Sequence, residues 1–169
     1  NCDWSSDVCS SDLVRADEQD LRRTGFRPVA FEVEGSGRLD LVEDFLEGVI
    51  VHGRLDRVDR RGDTPALRVV DYKYKHSREL KRWDGDHLLT GAVRGLRLQP
   101  PLYARFDLAP VVGGGENASH DAARPERVDF LYVVARSETV VQRATLDASA
   151  WSGATGAQLG RTVHLVLDG

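Results

Sequence analysis

Asp56, Asp71 and Lys73 are the residues of this chain whose types and spacing could do chemistry. They fall in two strand-like runs, Gly48 to Arg57 and Ala66 to Lys75, separated by Asp59-Arg60-Arg61-Gly62-Asp63-Thr64-Pro65, a segment rich in turn formers. Side chains alternate across a strand, so Asp71 and Lys73 share a face and Tyr72 points the other way. If the runs pair as a hairpin, Asp56 sits beside Asp71 near one end of the sheet. Two carboxylates and an ammonium then converge where the apolar Val69-Val70 segment emerges. Such a spot suits a hard divalent cation, which takes oxygen ligands from one or two carboxylates and fills the rest with water and phosphate. A metal held there polarises a phosphoryl oxygen and lowers the pKa of a bound water. A neighbouring lysine can orient that water or offset charge developing on the phosphate. The same residues also fit an exposed hairpin with scattered salt-bridged charges.

The elements around this hairpin must position it. Leu98 to Leu108 has helical spacing, with Pro100 and Pro101 suited to a first turn. Gln99 and Tyr103 lie four apart and share a helical face that either looks into the site or serves as cap and core. His76 to Gly95 is polar and punctuated by glycine, which predicts a loop. Lys75, just before it, and Arg78, Lys81 and Arg82 within it could contact phosphates. Trp83 could stack on an unpaired base or lie buried under the loop.

Three segments in this order and spacing carry a resemblance. Gly53-x-x-Asp56-Arg57-x-Asp59, then Val69-Val70-Asp71-Tyr72-Lys73, then Gln99-Pro100-Pro101-Leu102-Tyr103 resemble the nuclease domain of the RecB/AddB branch of the PD-(D/E)xK superfamily. The resemblance covers Phe26 to Tyr103 well and the remainder loosely. It implies that Asp56 and Asp71 bind Mg2+ or Mn2+, that Tyr72 lends a backbone carbonyl and that Lys73 is catalytic. Gln99 and Tyr103 would lie on a flanking helix and position substrate. The partners implied are DNA and a helicase domain or subunit. The function implied is metal-dependent DNA hydrolysis, as an exonuclease module in recombinational repair in the cytoplasm. A catalytically inactive DNA-binding or scaffolding module of the same fold is the alternative. The chain departs from the family in two places. Tyr74-Lys75 replaces the usual Thr-Gly after D-Y-K, and no His precedes His52 to complete the metal site from an N-terminal helix.

Composition agrees with one globular domain. The chain has 169 residues, 41% hydrophobic and 30% charged, and no apolar run of the roughly 20 residues that span a membrane. Its net charge of −4 is unevenly spread: residues 51–105 hold 13 Lys+Arg and 7 Asp+Glu (+6), and the rest hold 10 and 20 (−10). Positive charge therefore surrounds the candidate site, where a phosphate backbone would need it. It could also merely solvate the hairpin.

Residues 1–13, NCDWSSDVCSSDL, have no helical or strand period and read like a translated sequencing-library adapter. They are expected to be non-native, with 14–169 forming a single domain shortened at both ends. Cys2 and Cys9 are the only cysteines and both fall in this segment. The RecB/AddB resemblance implies that an iron–sulfur cluster is possible only in the full-length protein, where cysteines often follow a C-terminal helix like that read from Ala150. Val14 to Arg23 reads as a helix and Val29 to Glu34 as a strand, with Glu32 and Glu34 as exposed carboxylates beside the site. Arg38 to Glu47 fits either a strand or an insertion. Val111 to Pro125 reads as a surface loop, Arg127 to Ala135 and Thr139 to Leu146 as strands, and Ala150 to Leu167 as a glycine-interrupted helix. The fold class expected is α/β, restriction-endonuclease-like: a mixed central sheet of about five strands flanked by helices. Deleting residues 1–13 is expected to leave the thermal midpoint nearly unchanged by calorimetry, because a tail that was never selected to pack buries little area. A fall of several degrees would make the segment part of the fold.

Overall fold

A charged residue inside an apolar strand sets the plan of this molecule. In the computed structural model, which describes residues 6–39, 49–62, 64, 66–74, 85–112, 125–134, 140–151 and 153–168, the run Leu67-Arg68-Val69-Val70-Asp71-Tyr72-Lys73-Tyr74 is strand β3 (Leu67–Tyr74). Its β-branched and aromatic residues suit a pleated surface. Strand β2 (Val49–Arg61) pairs with it antiparallel, from Arg60↔Leu67 to Arg57↔Val70, with Gly62 at φ 47° in the turn. Strand β1 (Phe26–Leu39) pairs along the other edge of β2, with a register shift between Pro28 and Ala30, where proline has no N–H for the ladder. Strand β4 (Pro125–Val134) runs parallel to β3, and β5 (Val140–Asp147) antiparallel to β4. The result is a five-stranded mixed sheet in the order β1-β2-β3-β4-β5.

A parallel pair needs a crossover, and between β3 and β4 lie helices α2 (Gly85–Val93), α3 (Gln99–Tyr103) and α4 (Ala109–Val112). Helix α1 (Ser6–Thr24) precedes the sheet, and a 3-10 turn (Ala148–Trp151) leads into α5 (Gly153–Asp168). The mixed five-stranded sheet with flanking helices is thus what the sequence led us to expect.

Several local expectations are corrected. The helix foreseen from Leu98 to Leu108 stops at Tyr103, because the Asp107 N–H leaves to bond the Ser36 carbonyl at 2.7 Å. Asp107 Oδ1 then accepts from Ala109 N at 2.9 Å and starts α4. The loop foreseen from His76 to Gly95 contains helix α2, held by buried Leu88 and Ala92 one turn apart. Helix α1 begins at Ser6, inside the segment read as lacking any period; extending an existing helix costs far less than nucleating one. Residues 40–48, where either a strand or an insertion was expected, and 113–124, where a glycine-rich loop was expected, lie outside the described residues.

The two faces of β3 meet different cores. Leu67 and Val69 join Leu55, Val58, Leu88, Phe106, Leu108 and Val128 in an apolar cluster. Arg68, on the opposite face, is fully buried. Its Nε and Nη2 donate to Asp59 Oδ2 at 2.8 and 2.6 Å, and its Nη1 to Asp20 Oδ2 of α1 at 2.7 Å and Asp129 Oδ2 of β4 at 3.3 Å. The Phe26 ring covers the guanidinium, 4.5 Å from its centroid. Burial alone would lower the Arg68 pKa; the hydrogen bond to Asp20 and the charges of Asp59 and Asp129 outweigh it and raise the pKa instead. Removing one partner of such a group strands buried charge. Arg68→Ala is expected to cost about 3–5 kcal/mol in urea denaturation; a loss under about 1 kcal/mol would show that the network is not needed.

Candidate active site

The β2–β3 ladder ends at Arg57↔Val70. The next two residues, Asp56 and Asp71, stand at the point where the strands part. There the Tyr72 N–H, which a continued ladder would give to β2 backbone, donates to Asp56 Oδ2 at 2.8 Å. Asp71, on the same face as Leu67 and Val69, is only 2% exposed. Its Oδ2 forms a close ion pair with Lys73 Nζ, two residues along the same face. The Tyr72 side chain goes the other way and its hydroxyl meets Arg57. The expected alternation is therefore present, and Asp56, Asp71 and Lys73 are brought together.

Helix α3 comes to the same end of the strands. Gln99 Nε2 lies 3.4 Å from Asp71 Oδ1 and also bonds the Tyr103 hydroxyl. The Tyr103 hydroxyl donates to the Arg54 carbonyl at 3.1 Å. The direction of this chain follows from its ends. A carbonyl only accepts, so the phenol must donate to it and accept from Gln99; the second amide hydrogen of Gln99 is left for the carboxylate. The relay joins β3 at Asp71 to β2 at Arg54, two residues before Asp56. Both Gln99 and Tyr103 are thus drawn to the site, with their bonds made to Asp71 and to β2 backbone.

Glycines let α3 approach this closely. Gly35 and Gly53 face each other across β1 and β2, and the Phe106 ring fills the space between them. A Cβ at Gly35 would come 2.6 Å from Phe106 Cδ2, and one at Gly53 would lie 3.1 Å from Phe106 Cζ and 3.4 Å from Tyr103 Cε1. Phe106 in turn packs on Tyr103, ring centroids 5.2 Å apart. Gly53 of the first sequence motif therefore supports Tyr103 of the third.

Burial pushes the Asp71 pKa upward; the hydrogen bond and charge of Lys73 pull it back, and the charge of Asp56 adds to the rise. Tyr103 is raised as well, first by burial, with Gln99 opposing and the charges of Asp71 and Asp56 adding. A buried carboxylate beside a second carboxylate is short of positive charge, so the donor set fits a divalent cation. Among the described residues no group of three or more His, Cys, Asp or Glu could hold a metal. Two carboxylates suit an ion that keeps several waters, as Mg2+ does.

Glu32 and Glu34 are exposed on β1, as expected, and Glu32 (φ 52°) pairs with Arg54 at 2.6 Å. Lys75, Arg78, Lys81, Arg82 and Trp83 lie outside the described residues. Sequence reasoning missed the ionic layer behind the site, formed by Asp17, Asp20, Arg57, Asp59, Arg68 and Asp129. A signal existed: Arg68 and Asp129 interrupt apolar strands, and Asp17 and Asp20 are spaced for one helical face.

The model of the family described as PD-(D/E)XK nuclease superfamily matches residues 4–109, more than half of the chain. The chain belongs to the PD-(D/E)XK nuclease superfamily. Its sheet and helices are accordingly of the restriction-endonuclease-like α/β type. Members of the superfamily are usually nucleases and generally use divalent metal ions. No curated protein matches this PD-(D/E)XK chain. Among solved structures it is similar to one described as "Crystal structure of SSO0001", with 12% identity and a TM-score of 0.40, covering 98% of this chain and 61% of that one. The chain thus spans about three-fifths of that protein's length.

A raised carboxylate pKa is also a statement about stability. The folded state holds Asp71 above the ordinary 3.8, so its ionised form costs stability: the penalty is absent below that value and complete once pH passes the raised one. In metal-free buffer near pH 7, Asp71→Asn is expected to stabilise the fold by on the order of 1 kcal/mol, about 3 °C in thermal midpoint. The gain should disappear toward roughly pH 3.5. A thermal scan across pH in which Asp71→Asn is less stable at neutrality would contradict this.

Proposed function

We propose that this domain hydrolyses phosphodiester bonds in DNA with Mg2+ or Mn2+, and that Asp56, Asp71 and Lys73 carry the reaction. The observation behind this reading is the meeting of the two carboxylates and the lysine where β2 and β3 part. Asp56, Asp71 and the Tyr72 carbonyl would hold the cation, which when bound supplies polarisation of a phosphate oxygen and a water of lowered pKa. Lys73, partly exposed and two residues from Asp71, stands where its ammonium can donate to the attacking water or to a phosphate oxygen gaining charge. Gln99 fixes the rotation of the Asp71 carboxylate, and Tyr103 fixes Gln99, so both act as positioning residues. Lys75, Arg78, Lys81 and Arg82 would contact DNA phosphates.

The order and spacing of the three motifs support a finer reading: the exonuclease module of a RecB/AddB-type helicase–nuclease in recombinational repair, with a helicase domain or subunit as partner and the cytoplasm as its place. No helix among the described residues is long and apolar enough to cross a membrane.

The test is cleavage of end-labelled single- and double-stranded DNA with Mg2+. Chelation should stop it. Asp71→Ala and Lys73→Ala should each lower the rate by about 10² or more while DNA binding, which rests mainly on phosphate contacts elsewhere, is largely kept. Gln99→Ala should cost about tenfold. Undiminished cleavage by Asp71→Ala would remove this site from the mechanism, and binding without any cleavage by the unaltered protein would favour the inactive module.

A further inference from the structure

Tyr72 is pinned at two points. Its N–H donates to Asp56 Oδ2 at 2.8 Å, and its hydroxyl meets Arg57 Nη1 at 2.5 Å on the opposite face of the strand. Tyr72 itself lies beyond the last ladder pair, Arg57↔Val70, where backbone bonds no longer set the spacing of β2 and β3. With amide and side chain both held, the Asp71–Tyr72 peptide plane is fixed against β2. Arg57 is in turn held by neighbours that leave it little freedom. Asp59 Oδ2 accepts from Nη2 at 3.0 Å, and its Oδ1 stands 2.8 Å from Nε as an ion pair. Asp17 of α1 takes Nη2 at 3.0 Å and Nη1 in a shorter contact. The Arg57 side chain is 2% exposed and that of Asp17 14%. The fork of a guanidinium can serve these partners together; an ammonium cannot.

We propose that Arg57 is a positioning residue, which passes the docking of α1, through Asp17 and the Tyr72 hydroxyl, to the separation of Asp56 and Asp71 and so to their affinity for a divalent cation. The proposal rests on the nuclease reading above, but adds that α1, through Asp17, acts on the metal affinity of a centre whose proposed ligands lie on β2 and β3. An ionic layer serving stability alone would have no need of the Tyr72 hydroxyl, since Asp17 and Asp59 already answer the charge of Arg57. Arg57 is also the residue next to Asp56, as Tyr72 is next to Asp71, so any shift of this pair moves both carboxylates.

The experiment compares the unaltered protein with Tyr72→Phe, Asp17→Asn and Arg57→Lys. Mn2+ binding is measured by isothermal titration calorimetry without DNA, alongside thermal midpoints and the Mg2+ dependence of cleavage. Tyr72→Phe removes one hydroxyl and keeps the ring. It should weaken Mn2+ about tenfold, shift the thermal midpoint by less than about 2 °C, and regain most of its cleavage rate at saturating Mg2+. Asp17→Asn should act in the same direction, and Arg57→Lys should not restore the affinity. Unchanged Mn2+ affinity in both Tyr72→Phe and Asp17→Asn overturns the proposal while leaving the nuclease reading intact. So does a loss of affinity matched by a large fall in thermal midpoint, which assigns the network to stability. Failure of the unaltered protein to bind Mn2+ or to cleave DNA overturns the nuclease reading and this one with it.

Discussion

A guanidinium with no access to water has to be answered by carboxylates from whatever elements surround it. Arg68 meets Asp59 of β2, Asp20 of α1 and Asp129 of β4, so one side chain sets the mutual placement of four elements. Satisfying it is exacting, because desolvating charge in a protein interior costs several kcal/mol per ion and only near-ideal geometry offsets that. The arrangement is therefore weak as a source of net stability and strong as a specification: packings that leave a carboxylate out are excluded. Arg57 repeats the device one step nearer the site, with Asp59 shared between the two arginines.

The site stands where this constraint meets another. β2 and β3 pair through Arg57↔Val70 and then separate, which takes Asp56 and Asp71 out of the ladder and lets the carboxylates face each other's charge. Side chains then do the work of the missing backbone bonds. Asp56 takes the Tyr72 N–H, and the Gln99–Tyr103 relay ties Asp71 to the Arg54 carbonyl. The apolar side of the sheet supplies the platform for that relay. The Gly35–Gly53 gap admits Phe106, Phe106 supports Tyr103, and Tyr103 holds Gln99.

Much of this was legible in the sequence because it is local. Alternation along Leu67 to Lys73 assigns Asp71 and Lys73 to one face, and a four-residue interval brings Gln99 to Tyr103. The fold class follows from runs of β-branched residues separated by turn formers. What the sequence does not disclose is set by distant partners. Arg68 finds its carboxylates 9, 48 and 61 positions away, and no window contains them. The break after Tyr103 depends on a bond from Asp107 to Ser36, on a different element. Helix α2 is hidden by polar and glycine neighbours that dilute the Leu88 and Ala92 signal. The loop cations expected to meet phosphate fall on residues beyond the described ones, so that part of the site rests on sequence alone.

The parallel pairing of β3 and β4 has a consequence for how the chain reaches this state. The β2–β3 hairpin closes over a short loop, with Arg60 opposite Leu67, whereas β3 meets β4 through Leu67↔Pro125, 58 positions away (125 − 67). Loop-closure entropy alone makes the second pairing about 2 kcal/mol harder than the first. Until β4 pairs, one edge of β3 is open and Arg68 lacks Asp129. An open strand edge templates pairing with other chains, and parallel sheets expose such edges for longest. The same buried arginine that fixes the finished fold then carries a charge answered by Asp59 of the hairpin alone, and charge on an open strand edge opposes such pairing.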